Sequence, residues 1–187
     1  MTDPDRPRCG WATSAPEYVA YHDDEWGLPL HGDSALFERL SLEAFQSGLS
    51  WLIILRKRPA FRLAFADFDI ETVAGFGEAD VERLLGDAGI VRNRAKIDAT
   101  IANARIVLDV VPEGLDKLLW SFAPMGRRRR PRSLSEVPST STESVAMAKV
   151  LKKRGLRFVG PTTAYALMQA TGMVDDHIVP CWRATSR

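Results

Sequence analysis

Apolar residues along this chain recur at intervals of three and four, and no segment alternates apolar and polar positions over a strand's length, so the pattern predicts an all-α fold. Leu36, Leu40 and Ala44 mark the apolar stripe of a helix from Ser34 to Gly48, with Asp33 as its candidate N-cap. Ser50 can cap a further helix that starts at Trp51 and runs through LIILRKR, and Pro59 opens a short piece, PAFRLAF. Asp69 starts IETVA. Residues 77–109 give two helices joined at GDAG, and Ile97, Ile101, Ala104 and Leu108 make the second a core helix. Leu115 to Phe122 adds one more amphipathic helix. Residues 123–139 carry proline, glycine, serine and an arginine run, the composition of a surface loop. Thr140 with Glu143 has the spacing of a capping box for the helix that follows.

That helix leads into Leu151 to Cys181, the stretch around which the rest is organised. KKRG closes a helical run, LRFVG makes a turn, and PTTAYALMQATG is the next helix. Gly155 and Gly160 tolerate backbone angles closed to other residues, and Pro161 suits a first helical position. Amides at such a helix start bind anions such as phosphate, and Lys152, Lys153, Arg154 and Arg157 add positive charge beside them. An ordinary corner between helices with a solvated basic face has the same signature.

The stretch ends in His177 and Cys181, an H-x-x-x-C spacing that brings an imidazole and a thiolate to one metal. The chain has two cysteines, Cys9 and Cys181, near opposite ends. A disulfide or two unrelated free thiols would account for them. However, His22 follows Cys9 as C-x12-H, so Cys9, His22, His177 and Cys181 form a two-cysteine, two-histidine set suited to a closed structural zinc site. Such a site would clasp the polar N-terminal segment to the C-terminus. His31, between Leu30 and Gly32, reads as a loop residue.

Glu43 lies three residues beyond Leu40, which sets its carboxylate on the apolar stripe. An acid turned toward a core must be paired, protonated or functional, whereas one at the edge of a stripe simply reaches solvent. Trp11, Tyr18, Tyr21 and Trp26 crowd one short region. Aromatic residues this dense usually build core, as expected of Trp26. Tyr18 and Tyr21 stand one helical turn apart beside His22, so a metal that fixes His22 also fixes their rings.

Composition narrows the setting. The 187 residues, 45% of them hydrophobic, suffice for one compact domain or two small interlocked ones with a real core. No apolar run spans a bilayer, and the N-terminus is polar and proline-rich where a secretory signal needs an apolar core, so a cytoplasmic protein is expected. The net charge of +1 hides basic clusters at Arg127 to Arg130 with Arg132, at Lys152 to Arg154 and at Arg56 to Arg58. A basic face toward nucleic acid is allowed by this balance and not demanded by it. The turn GDAGIVRNRAK either touches DNA or is solvated.

Taken together, CGWATSAPEYVAYHDDEWG, LFERLSLEAFQSGLSW, AGIVRNRAKI and STSTES…LKKRGLRFVGPTTAYALMQATGMVDDH resemble the 3-methyladenine DNA glycosylase I family, within the helix-hairpin-helix glycosylases. The resemblance runs from Arg8 to Cys181. It implies a single glycosylase domain over 1–187, with the helix-hairpin-helix at about 143–172 and a zinc clasp formed by 9–22 and 177–181. It implies removal of 3-methyladenine from alkylated double-stranded DNA. Glu43 and Tyr21 would hydrogen-bond the damaged base, and Trp11 and Trp51, with Tyr18 nearby, would wall its pocket. Gly155, Arg157, Gly160 and Thr162 would grip the backbone, while Gly48 and Leu49 would fill the vacated stack. Lyase-competent relatives carry a lysine where this chain has Thr162, so a monofunctional enzyme is expected. Asp175 and Asp176 sit too close to His177 to match the catalytic aspartate of other helix-hairpin-helix enzymes. The run Arg127 to Arg130 matches no family motif. A monomer that needs neither a protein partner nor a membrane is expected. The rival readings are a non-catalytic, zinc-containing module that binds damaged DNA and a helical interaction domain with a metal staple.

Overall fold

The structure, a computed structural model, describes residues 6–126 and 129–185; Arg127 and Arg128 of the arginine run lie outside the described residues. Helices α1 (Pro16–Asp24), α2 (Asp33–Gln46), α3 (Trp51–Ala64), α4 (Ile70–Ala74), α5 (Glu78–Gly86), α6 (Arg94–Val110), α7 (Leu115–Trp120), α8 (Thr142–Lys153) and α9 (Pro161–Ala170) follow one another, joined by loops and short 3-10 turns, and the described residues contain no strand. Among them no helix is long and apolar enough to cross a membrane.

The core is built around α2, which packs against α3, α6, α7 and α9. Leu36, Phe37, Leu40, Leu42 and Phe45 are all buried, although they point in several directions around the helix axis. A helix enclosed on every side buries its polar positions too, and Arg39, Ser41 and Glu43 are accordingly buried. The Phe45, Phe61, Phe65 and Phe68 rings form a contact chain that seats α3 and the turn after it.

Several local expectations change in the tertiary setting. Asp33 is the first residue of α2, and Gly32 is its N-cap. The Asp33 carboxylate instead accepts from the backbone N–H of Asp116 at 2.8 Å, while Asp116 accepts from the N–H of Gly32 at 2.6 Å. Helices α2 and α7 thus cap each other, and a neighbouring helix start outcompetes the local one for each carboxylate. His31 joins this junction, 3.0 Å from Asp116 and stacked on Trp120. Helix α2 ends at Gln46 rather than Gly48. Ser50 holds the N-cap position of α3 but makes no capping bond; the Tyr18 hydroxyl accepts from the N–H of Leu52 at 3.0 Å in its place.

Pro59 opens no helix: it lies inside a continuous α3. Its ring removes one helical hydrogen bond, and burial of Phe61 and Ala64 beyond it keeps the helix together. On α6 the buried stripe is Ile97, Ile101, Ala104 and Val107, with Leu108 49% exposed. Asn93 caps that helix through the N–H of Lys96, so the connection after α5 runs past GDAG to residue 93. The capping box before α8 pairs Ser141 with Ser144, one residue later than Thr140 and Glu143.

Candidate active site and metal centre

A cavity of about 420 Å³ opens where α1, α2, α3 and α9 meet, lined by Trp11, Ser14, Tyr18, Tyr21, Trp26, Glu43, Gln46, Trp51 and Ala166. Tyr18 and Tyr21 reach it because they stand one turn apart on α1. Trp11 lies on the preceding turn, edge-on to Tyr18 at 5.6 Å and to Trp26 at 5.1 Å. Trp51, the first residue of α3, faces Tyr21 at 5.6 Å, and its Nε1 is buried without an acceptor among the described residues. Trp26, expected in the core, is half-buried, packs against the small Cys9, Cys181 and Ala184 cluster, and also serves as a cavity wall.

Glu43 lies at the floor, 5% exposed, and makes no hydrogen bond among the described residues. Burial pushes its pKa up to about 7, with the Arg39 guanidinium one turn away pulling in the other direction. The phenol of Tyr21 is likewise pushed up by burial, so it stays neutral. The site therefore offers an acid poised to ionise near neutral pH, surrounded by ring faces that attract cations.

Behind this wall, Cys9, His22, His177 and Cys181 are all buried and offer ligand atoms within 4.8 Å of one another, a possible metal-binding cluster. His22 Nε2 lies 3.3 Å from Cys181 Sγ, and His177 Nδ1 lies 3.6 Å from Cys181 Sγ and 3.7 Å from Cys9 Sγ. The other ring nitrogens are also engaged: His22 Nδ1 with Asp23 at 2.8 Å, and His177 Nε2 with the Trp26 carbonyl at 3.3 Å. Burial raises the Asp23 pKa, but hydrogen bonds from Arg8, His22 and Trp182 outweigh it and hold the carboxyl down at about 2. The Cys181 thiol is lowered, first by its hydrogen bond with Cys9 and then by those with His177 and His22, and Cys9 is raised by the same contact and by burial. A bound metal would take both thiols as thiolates. Gly27 (φ +77) passes so close to His177 that an added Cβ would stand 2.9 Å from Nε2. Trp11 and Trp26 contact the imidazoles of the cluster at 5.5 and 4.6 Å, so the cluster supports the cavity wall.

The other predicted residues lie on two loops. Gly48 and Leu49 occupy the turn between α2 and α3, with Leu49 37% exposed. The Lys96 ammonium props this turn by donating to the carbonyls of Phe45 at 2.8 Å and Ser47 at 2.6 Å. Gly155 (φ +98) ends α8 with paired bonds, Gly155 N–H to Lys152 and Leu156 N–H to Leu151, a geometry that a side chain at 155 would strain. Gly160 caps α9. Asn103 locks the turn between them, accepting from the N–H of Arg157 at 2.8 Å and donating to its carbonyl at 3.1 Å. Arg157 and Thr162 are exposed, and Thr162 stands one turn before Ala166 of the cavity on the same face of α9.

Sequence reasoning missed Arg39, Gln46, Lys96 and Asn103. Lys96 and Asn103 sit two turns apart on α6, on its buried side. Polar residues at core spacing were the available signal, the same one that picked out Glu43. The cluster at Arg56 to Arg58 is spent internally: Arg56 pairs with Glu17, Arg58 with Glu25, and Lys57 donates to the Ala88 carbonyl. Arg94 pairs with Glu78. Asp176 accepts from Tyr165 and Gln169, and Asp175 pairs with Arg130; neither carboxylate lines the aromatic cavity.

The methyladenine glycosylase family profile matches residues 11–184. DNA-3-methyladenine glycosylase 1 of Escherichia coli (strain K12) is 47% identical over 177 residues, which cover 93% of this chain and 95% of that protein. A crystal structure of 3-methyladenine DNA glycosylase I matches with a TM-score of 0.90 at 44% identity, covering 94% of this chain and 98% of that one. The Staphylococcus aureus enzyme, solved to give the structural basis of 3-methyladenine recognition, matches with a TM-score of 0.89 at 34% identity, covering 96% and 97%.

Proposed function

The chain belongs to the methyladenine glycosylase family, and we propose on that premise that it is a monofunctional DNA glycosylase, hydrolysing the N-glycosidic bond of 3-methyladenine in alkylated duplex DNA and leaving an abasic site for base excision repair. The observation that carries this reading is Glu43, a buried carboxyl without a donor among the described residues at the floor of an aromatic cavity. Adenine methylated at this ring nitrogen is cationic before it leaves, so its bond to the sugar is already weak and strong acid catalysis is unnecessary. The ring faces attract that cation by about 0.5–2 kcal/mol per contact. Glu43 adds a carboxylate for the exocyclic amine and the positive ring, and Tyr21 a hydroxyl. Neutral adenine gains little from such a site, so selection rests on charge.

The base must first leave the stack, at a cost of a few kcal/mol. We read 143–172 as a helix-hairpin-helix in which Gly155, Arg157, Gly160 and Thr162 hold the backbone, and Gly48 and Leu49 as the wedge that fills the gap. Exposed Thr162 carries no amine, so no Schiff base forms and water takes the sugar carbon. Cys9, His22, His177 and Cys181 would hold a structural zinc: the sulfur–nitrogen separations of 3.3 to 3.7 Å suit a tetrahedron of Zn–S and Zn–N bonds, and both imidazoles have outer partners. The ion supplies a cross-link between the chain's two ends.

The test is chromatography of free bases after incubation with methylated duplex DNA. Release of 3-methyladenine well above the spontaneous rate, with 7-methylguanine retained, is expected. No release from the folded protein would favour a module that only binds damage.

The two loop props give separate predictions. Lys96→Met leaves two carbonyls unpaired at the wedge turn and should slow excision from duplex DNA about tenfold, while binding of free 3-methyladenine, measured by tryptophan fluorescence, stays unchanged. Asn103→Ala frees the Arg157 turn and should weaken DNA binding several-fold in a salt-dependent assay; equal affinity for DNA would remove the hairpin from the interface.

A further inference from the structure

One turn before Glu43 on α2 stands Arg39, a guanidinium only 7% exposed that the proposed chemistry does not use. Its Nη1 donates to the Tyr21 hydroxyl oxygen at 3.0 Å and its Nη2 to Glu25 Oε2 at 3.2 Å. Glu25 is clamped from the other side by both terminal nitrogens of Arg58, each at 2.6 Å. The guanidinium carbon lies 5.3 Å from the Tyr21 ring centre and 5.9 Å from that of Trp51. The network therefore fixes Arg39 directly behind two walls of the cavity.

Arginine has only donors. The Tyr21 oxygen must accept here, and its own proton must point away from the guanidinium. No acceptor for that proton occurs among the described residues, and Tyr21 lines the cavity together with Glu43. We infer that Arg39 is a positioning residue that fixes the Tyr21 hydroxyl as a donor into the pocket, so that one donor, Tyr21, stands beside one acceptor, Glu43. The inference rests on the reading of those two residues as base contacts. Adenine carries the complementary pair on one edge, a ring nitrogen that accepts and an exocyclic amine that donates. Without Arg39 the phenol O–H is free to turn away from the pocket.

Arg39→Lys keeps the buried charge but loses the flat fork. A single ammonium goes to Glu25, the charged partner, and leaves Tyr21. The experiment measures binding of free 3-methyladenine by tryptophan fluorescence, well above the pH at which Glu43 titrates, in the unaltered protein, Arg39→Lys, Tyr21→Phe and the double variant, with thermal melts to establish folding. Arg39→Lys is expected to weaken binding about tenfold when Tyr21 is present and by less than about twofold in the Tyr21→Phe background. An equal loss in both backgrounds would overturn the inference and make Arg39 a structural residue. If Tyr21→Phe binds as tightly as the unaltered protein, the base-contact reading fails and takes the role of Arg39 with it. Arg39→Met is the second variant if the lysine form does not fold; it is read in the same two backgrounds.

Discussion

Glu43→Gln is expected to slow 3-methyladenine release from duplex DNA by about 10²–10³-fold near pH 8, the range for losing a buried group that meets charge in the transition state. The same substitution should make the protein more stable. Glu43 titrates at about 7 in the fold against an ordinary value near 4.5. Its neutral form is favoured on folding, so the contribution is intact below the unfolded value and is lost as pH rises through the folded one. The difference corresponds to about 3 kcal/mol of strain from ionised Glu43 in alkaline solution. A glutamine of the same shape carries no such penalty. The variant should therefore melt about 5–10 °C higher than the parent near pH 8 and alike near pH 5. The parent's kcat/KM should rise with pH through an acid limb near 7, and the variant's should lack it. Melting curves that coincide at both pH values would show that Glu43 is solvated, and an unchanged release rate would remove it from the mechanism.

A metal held by the proposed Cys9, His22, His177 and Cys181 site should be lost in Cys181→Ser together with several kcal/mol of stability, because binding free energy at a closed site is folding free energy. The four donors come from Cys9 and His22 at one end of the chain and His177 and Cys181 at the other. Apart from a metal, the Arg8–Asp23 pair and a backbone bond from Trp182 to Pro7 are among the contacts that tie down the turn that carries Trp11. Trp11 and Trp26 both lean on the imidazoles, so the cavity wall should loosen as well. Metal analysis, thermal melts and binding of free 3-methyladenine are the three readouts, and all three should fall together. Full metal content and an unchanged melting temperature would refute the clasp. A drop in stability with base binding intact would leave the metal structural and detach it from the pocket.

Much of this architecture is legible without a structure because helices are local. The 3.6-residue period identifies α2 and α6 from their apolar stripes, a capping spacing announces α8, and the signals at Gly155, Gly160 and Pro161 place the turn between α8 and α9. The candidate metal donors are legible for another reason: cysteine and histidine are scarce in this chain, and the H-x-x-x-C pair has local ligand spacing that the Cys9 and His22 pair completes. Only the fold, however, brings those pairs together.

What local reading misses has a common cause. Asp33 and Asp116 each cap the other's helix, and Tyr18 replaces Ser50 at the start of α3, because a backbone N–H takes whichever acceptor packing brings nearest. Pro59 stays within α3 because burial of the following turn outweighs one lost hydrogen bond. Arg39, Lys96 and Asn103 are polar residues at core spacing whose partners only the surrounding helices supply: Arg39 donates to Tyr21 and Glu25, Lys96 to two carbonyls, and Asn103 pairs with the Arg157 backbone. The sequence by itself determined most of the longer helices, the candidate metal donors, the aromatic residues and the candidate acid, since these depend on residue type and short spacing. The tertiary structure alone decided that Glu43 is buried, that Trp26 also lines the cavity, and that one face of α6 holds both loops beside the site, because burial and proton direction depend on neighbours far away in the chain.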